Sequence, residues 1–271
     1  MMRGALVLLL HSLKRARALV LVMGLLLAAF QVLLTLVARS LQTSNAFDQL
    51  SSLIPDFMRQ LMGPTVVGLM SFSGIITVGY FHIAVMGSLV GLSIALATQP
   101  ASEVETRFID LVLARPLARH WVITRTIALL IICIAIVLVM MMAGTWTGLH
   151  FLAPEGVVLP SQKLILSLAI NLGVLLLCWG GVGLAISSVS RRRTVAGALT
   201  GLLALATFLL DYVARAWSPA EAVAWLSPFR YYSPLDIVMG FDVPAHNLWV
   251  LVGISLAGLL LSYFLFSRRD I

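Results

Sequence analysis

Stretches of around twenty consecutive apolar residues recur along this chain, and no other feature constrains its fold as much. Five are clear, at about 18–37, 122–147, 164–189, 195–211 and 248–266. A helix needs about 20 such residues to cross a hydrocarbon core, where each backbone polar group must be bonded within its own segment. A sixth lies within the run 66–97, which is too long for one upright span, and its membrane part is placed at 79–97. The preceding 55–78, with Pro55, Gly63, Pro64, Gly68 and Gly74, reads as an interfacial or folded external segment. Composition agrees, because 61% hydrophobic and 11% charged residues leave too little polar cover for a soluble fold of 271 residues. The expectation is an all-α integral membrane protein with one six-span domain over residues 1–271. A soluble enzyme, a disordered chain and a disulfide scaffold are excluded. Cys133 and Cys178 fall inside apolar runs and read as small apolar side chains.

Six spans place both termini on one side of the membrane, and charge selects that side. Thirteen of the 18 Lys and Arg flank it, among them Lys14, Arg15, Arg17, Arg107, Arg115, Arg119, Arg125, Arg191, Arg192, Arg193 and Arg268. Basic loops collect on the cytoplasmic face, so both termini are expected there. The net charge of +7 then belongs to loops and gives no reason to invoke nucleic acid.

Two stretches depart from a simple row of spans. Residues 1–17 are basic, with Leu6, Leu9, Leu10 and Leu13 at helical spacing. They read equally as an interfacial helix at the headgroups or as the start of the first span. The external connection 211–247 holds Trp217, Pro219, Trp225, Pro228, Tyr231, Tyr232, Pro234 and Pro244. Interface-seeking aromatics and helix-breaking prolines fit a re-entrant hairpin or an interfacial loop. No tandem or inverted repeat supports a transporter built of two matched halves.

The chemistry of most other membrane proteins is missing. Asp211 and His82 sit near outer span ends, and the neutral Gln31 and Asn171 are expected to make interhelical hydrogen bonds. That leaves little for a proton relay. His11, His82, His120, His150 and His246 form no H-E-x-x-H pair, and no G-x-S-x-G elbow is present. The two lysines, Lys14 and Lys163, do not follow glycine, so there is no P-loop to hold nucleotide phosphates.

The loop 101–120 carries the most information. Ser102 is suited to cap a helix with Glu103 and Glu105 in its first turn. Val104, Phe108, Leu111 and Val112 then recur at helical spacing beside Arg107 and Asp110, until Pro116 ends or bends the helix after Arg115. A short amphipathic cytoplasmic helix held by two spans suits docking to another protein. The blander reading is an apolar face resting on the leaflet or on neighbouring helices.

This loop resembles that of the permease subunits of ABC-2 type transporters, whose pattern runs roughly Gly-Glu-Glu-x-Gly-Thr, Leu-Glu-Leu-Leu-Leu, Ser/Ala-Arg-Pro-Val-Ser-Arg. The matching residues are Glu103, Glu105, Asp110, Leu111, Leu113, Ala114, Arg115, Pro116, Leu117, Ala118 and Arg119, with Arg125 where a Lys often follows. Arg107 and Phe108 depart, standing where the family usually has Gly-Thr. The run Ser227-Pro228-Phe229-Arg230-Tyr231-Tyr232 resembles the family's external Ser-Pro-Phe segment, and Phe266-Ser267-Arg268-Arg269-Asp270-Ile271 its C-terminal ending.

The resemblance implies a multi-pass protein of the cell (inner) membrane that pairs with a second permease. It implies a separate ATP-binding subunit carrying ATP and Mg, with no cofactor or catalysis on this chain. The helix at 101–120 would couple to that subunit. Its electrostatic contacts are expected from Glu103, Glu105, Arg107, Asp110, Arg115 and Arg119, its apolar anchor from Phe108 and Leu111, and its bend from Pro116. Pro228, Phe229, Tyr231 and Tyr232 mark the external segment. Export of a hydrophobic or amphipathic substrate is the leading expectation. A permease-like component of a maturation or assembly complex is the alternative, and a scaffold docking a non-ATPase partner is the reading from another class.

Overall fold

A computed structural model describes residues 2–44, 71–107, 120–240 and 245–268, and among these every regular element is helical. Helix α1 spans Met2–Thr43, α2 Phe72–Phe81, α3 Ile83–Ala97, α4 Gln99–Glu105, α5 His120–Leu152, α6 Gln162–Val189 and α7 Arg193–Ala214. Then come α8 (Ser218–Glu221), 3-10 turns at Ala224–Leu226 and Pro228–Tyr231, α9 (Pro234–Val238) and α10 (Ala245–Ser267). Among the described residues, six stretches are long and apolar enough to cross a membrane: α1, α2 with α3, α5, α6, α7 and α10. The chain is an all-α integral membrane protein. The first half of α1, α4, the start of α5 and the last turns of α10 lie at one end of the bundle, called here the near end.

The first span is one helix of 42 residues, about 63 Å long at 1.5 Å per residue. The separate interfacial helix considered for the N-terminal stretch is therefore not a distinct element. Lys14–Ala18 contains no glycine or proline to break it, and Ser12, Ala16 and Val20 are buried on the same packed stripe as Leu27.

The second span begins earlier than residue 79. Ser71 accepts a hydrogen bond from the Gly74 N–H and starts α2, whose Phe72, Ile76 and Thr77 are buried. Residues 72–78 thus belong to the bundle rather than to an external segment, while 45–70 lie outside the described residues. The span is broken at His82, whose backbone is extended (φ −59°, ψ 131°) and whose Nδ1 accepts from the Ala84 N–H at 3.3 Å. One residue ends α2 and caps α3.

Helix α6 is the most buried span and packs against α2, α3, α5, α7 and α10. Lipid tails are as apolar as leucine, so helices in a bilayer associate through close packing of small residues. A Cβ at Gly144 of α5 would lie 2.5 Å from Ala28 Cα of α1, and one at Gly258 of α10 would lie 2.6 Å from the Gly181 carbonyl carbon of α6. Hydrogen bonds cross other helix contacts: Tyr80 of α2 with Thr145 of α5 at 2.9 Å, Ser93 Oγ of α3 to the Leu176 carbonyl of α6 at 2.6 Å, and Thr124 of α5 with Tyr263 of α10 at 2.8 Å. Gln31 and Asn171 do not supply the interhelical bonds expected of them. Both side chains are buried without a hydrogen-bond partner among the described residues, and Gln31 lies where a Cβ on Gly79 would sit.

Candidate functional site

The near-end site is built on α4. Thr98 separates α3 from α4, Pro100 sits in the first turn of α4, and the free Ala101 N–H donates to Ser187 Oγ of α6 at 3.1 Å. A helix start leaves N–H groups unbonded, and proline is tolerated there because it lacks one. With Ser187 capping from another helix, the start falls three residues before the expected Ser102 cap. Ser102 is instead inside the helix, and its carbonyl accepts from Thr106 Oγ1.

The helix also ends early. Arg107 has φ 56°, in the left-handed region, and its N–H donates to the Val104 carbonyl at 3.1 Å. That conformation costs an L-residue roughly 1–2 kcal/mol and glycine almost nothing. It falls at the position where the ABC-2 pattern has Gly. The single helix expected to run from Ser102 to Arg115 is therefore interrupted before Phe108. Phe108, Asp110, Leu111, Arg115, Pro116 and Arg119 lie outside the described residues.

Three contacts tie α4 to the spans. Arg125, one turn into α5, donates from Nη2 to Glu103 Oε1 at 2.5 Å, with both side chains buried. Glu105 Oε2 accepts the Arg193 N–H at 2.9 Å, closing the first turn of α7 with an acid where the helix dipole favours one. Arg193 Nη2 in turn donates to the Ala95 carbonyl at the end of α3, at 3.0 Å. Glu103 is committed to Arg125, whereas Glu105 and Arg107 are exposed. Arg125, Ser187 and Arg193 were not among the site residues expected from sequence. Arg125 had a legible signal, an ionisable group within the boundary of an apolar span.

At the far end, the segment after α7 is a string of single turns and not a hairpin of two helices. Pro219, Pro228 and Pro234 each open a short turn, and restarting every few residues keeps the pieces short. Pro228 and Phe229 are buried; Phe229 packs on Trp179 of α6 and Phe208 of α7, with ring centroids 5.6 and 5.4 Å away. Ser227 Oγ donates to the Thr207 carbonyl, and Tyr232 Oη to the Tyr80 carbonyl at 3.0 Å. Burial pushes the Tyr232 phenol well above the usual tyrosine range. Tyr231 instead bonds the Trp225 carbonyl nearer the surface.

Beside these residues lies a cavity of about 430 Å³, lined by Phe81, Met86, Phe208 and Phe229 and by Asp211, Arg215, Arg230 and Asp236. Arg215 holds Asp211 through Nη2 at 2.8 Å. An apolar groove of about 310 Å³ between α3 and α7 shares Ile83, Met86, Phe208 and Phe229 with it.

Residues 14–271 match the family model described as ABC-2 family transporter protein. No curated protein sequence matches the chain. The matched region takes in α1 from Lys14 onward and the other five apolar crossings whole, together with α4 and the far-end turns. The chain belongs to the ABC-2 transporter family, as a multi-pass membrane permease component of a transport system.

Proposed function

We propose that this chain is the permease subunit of an ATP-driven exporter, powered by a separate ATP-binding subunit docked at residues 101–120. The observation that carries this reading is the bracing of α4. Glu103–Arg125, Ala101–Ser187 and Glu105–Arg193 join the start of that loop to α5, α6 and α7 at once. Force applied to 108–119 would pass into three spans rather than being lost in a slack connection. In this reading Glu105, Arg107, Asp110, Arg115 and Arg119 supply charged contacts, Phe108 and Leu111 the apolar anchor, and Pro116 the bend. Glu103 holds the loop from inside.

ATP and Mg belong to the partner, both termini are cytoplasmic, and a second permease completes the pathway in the inner membrane. A hydrophobic or amphipathic cargo suits the apolar groove between α3 and α7, which opens into the charged cavity at the far end.

The test is purification of the native complex in mild detergent, followed by identification of the bound polypeptides and measurement of ATP hydrolysis. A stoichiometric ATP-binding subunit, lost from Phe108→Ala/Asp110→Lys, is the expected result. An intact complex without a nucleotide-binding partner would overturn the reading. So would normal coupling in Asp110→Arg/Arg115→Glu.

A further inference from the structure

At the near end, a cavity of about 200 Å³ opens where α1, α3, α4 and α7 meet. Arg15 and Leu19 of α1, Leu96 of α3, Gln99, Ser102 and Glu103 of α4 and Arg193 of α7 line it. Its chemistry is two-signed. Arg15 is exposed and makes no hydrogen bond or ion pair among the described residues, and Arg193 is half-buried with only Nη2 of its guanidinium engaged. Glu103 is 6% exposed, and its Oε2 has no hydrogen-bond partner among the described residues while Oε1 takes Arg125. Leaving a buried carboxylate oxygen unbonded is costly, so this oxygen calls for a donor small enough to reach it.

The cavity also lies at headgroup depth. Leu19, half exposed on α1, begins the apolar stretch that faces lipid, while Arg15 stands one turn before it. A ligand here has to present an anion to two arginines and a hydrogen-bonding cation to one carboxylate, with an apolar part running out past Leu19.

We propose that this cavity binds the zwitterionic headgroup of an aminophospholipid from the near-end leaflet. The phosphodiester lies between Arg15 and Arg193, and the primary ammonium donates to Glu103 Oε2. Charge-assisted hydrogen bonds make both contacts strong. A trimethylammonium headgroup has no N–H to donate, and a glycerol headgroup brings an anion but no cation. The ligand therefore bridges α1 and α7 through the residue that anchors α4. This site stands independently of the ATPase-docking reading, because lipid binding is measured without a nucleotide.

The experiment is native mass spectrometry of the purified protein, in its native complex, released from nanodiscs with equal parts phosphatidylethanolamine, phosphatidylcholine and phosphatidylglycerol. The ethanolamine lipid should be retained about tenfold over the choline lipid, the discrimination expected for one charged hydrogen bond. Arg15→Gln, which removes a side chain that makes no hydrogen bond or ion pair among the described residues, should weaken retention of the ethanolamine lipid, because the phosphodiester loses one of its two cations. Arg39→Gln, which removes an exposed cation near the opposite end of α1, should keep that retention. Equal retention of the two zwitterionic lipids, preference for the glycerol lipid, or unchanged retention of the ethanolamine lipid in Arg15→Gln would each overturn the assignment.

Discussion

Arg125 and Glu103, separated by 22 residues in sequence, form a buried ion pair that joins the α4 helix to the start of the α5 span. The pair is only partly satisfied, because Glu103 Oε2 and Arg125 Nε have no partners among the described residues. Removing one charge strands the other in a site of low polarity, which is worse than removing both. Arg125→Met is therefore expected to destabilise the protein by about 3 kcal/mol. Glu103→Leu/Arg125→Met should regain most of that loss. Thermal unfolding of the detergent-solubilised protein checks both, and a double variant no better than the single one would remove the pair from this role.

Arg107 occupies a left-handed backbone position, so glycine should relieve strain there. Arg107→Gly is expected to raise stability by about 1 kcal/mol. In the docking reading it should also weaken association with the ATP-binding subunit, since an exposed cation is lost. Melting and co-purification on the same sample separate the two effects.

Close helix approach depends on particular glycines and not on all of them. Gly144→Ala and Gly258→Ala place a Cβ within 2.5 and 2.6 Å of backbone atoms of neighbouring helices. Each should cost about 1–3 kcal/mol through overpacking. A Cβ at Gly87 or Gly197 meets nothing within 4 Å, so alanine there should be neutral or stabilise by up to about 1 kcal/mol. Melting curves of the four variants test the contrast.

Tyr232 is buried with its hydroxyl on the Tyr80 carbonyl, and Tyr232→Phe should cost about 1 kcal/mol below pH 9. Its pKa is raised in the folded protein, so the neutral phenol is the form the fold prefers. Stability should accordingly fall as pH rises above about 10, where an unfolded tyrosine ionises. Tyr232→Phe should flatten that part of the profile. An equal alkaline slope in both proteins would assign the loss to another group.

Sidedness is open to chemical labelling because Cys133 and Cys178 are buried. Glu155 lies in the exposed turn between α5 and α6, and Arg192 in the exposed turn between α6 and α7. An impermeant thiol reagent added to intact cells should label Glu155→Cys and reach Arg192→Cys only after permeabilisation. The reverse pattern would invert the proposed orientation.

Much of the architecture was legible in the chain because it follows from local rules. A run of twenty apolar residues has to become a helix in lipid whatever surrounds it, so the six crossings, the asymmetry of Lys and Arg and the ABC-2 resemblance could all be read along the sequence. Cap positions were less legible. Ser102 and Glu105 looked like a helix start by themselves, but Ser187, 86 residues from Ala101, moved that start to Gln99. His82 broke a span that hydropathy alone ran together, and the far-end prolines resolved into separate turns once Phe229 had packed on Trp179 and Phe208. Only the tertiary structure decided that Glu103 faces Arg125, that Gln31 is buried without a partner among the described residues, and that Arg15 and Arg193 share a cavity. Composition and periodicity express the preference of each segment for its solvent. Which polar groups meet depends on how helices from distant parts of the chain pack, and that information is carried by no single segment.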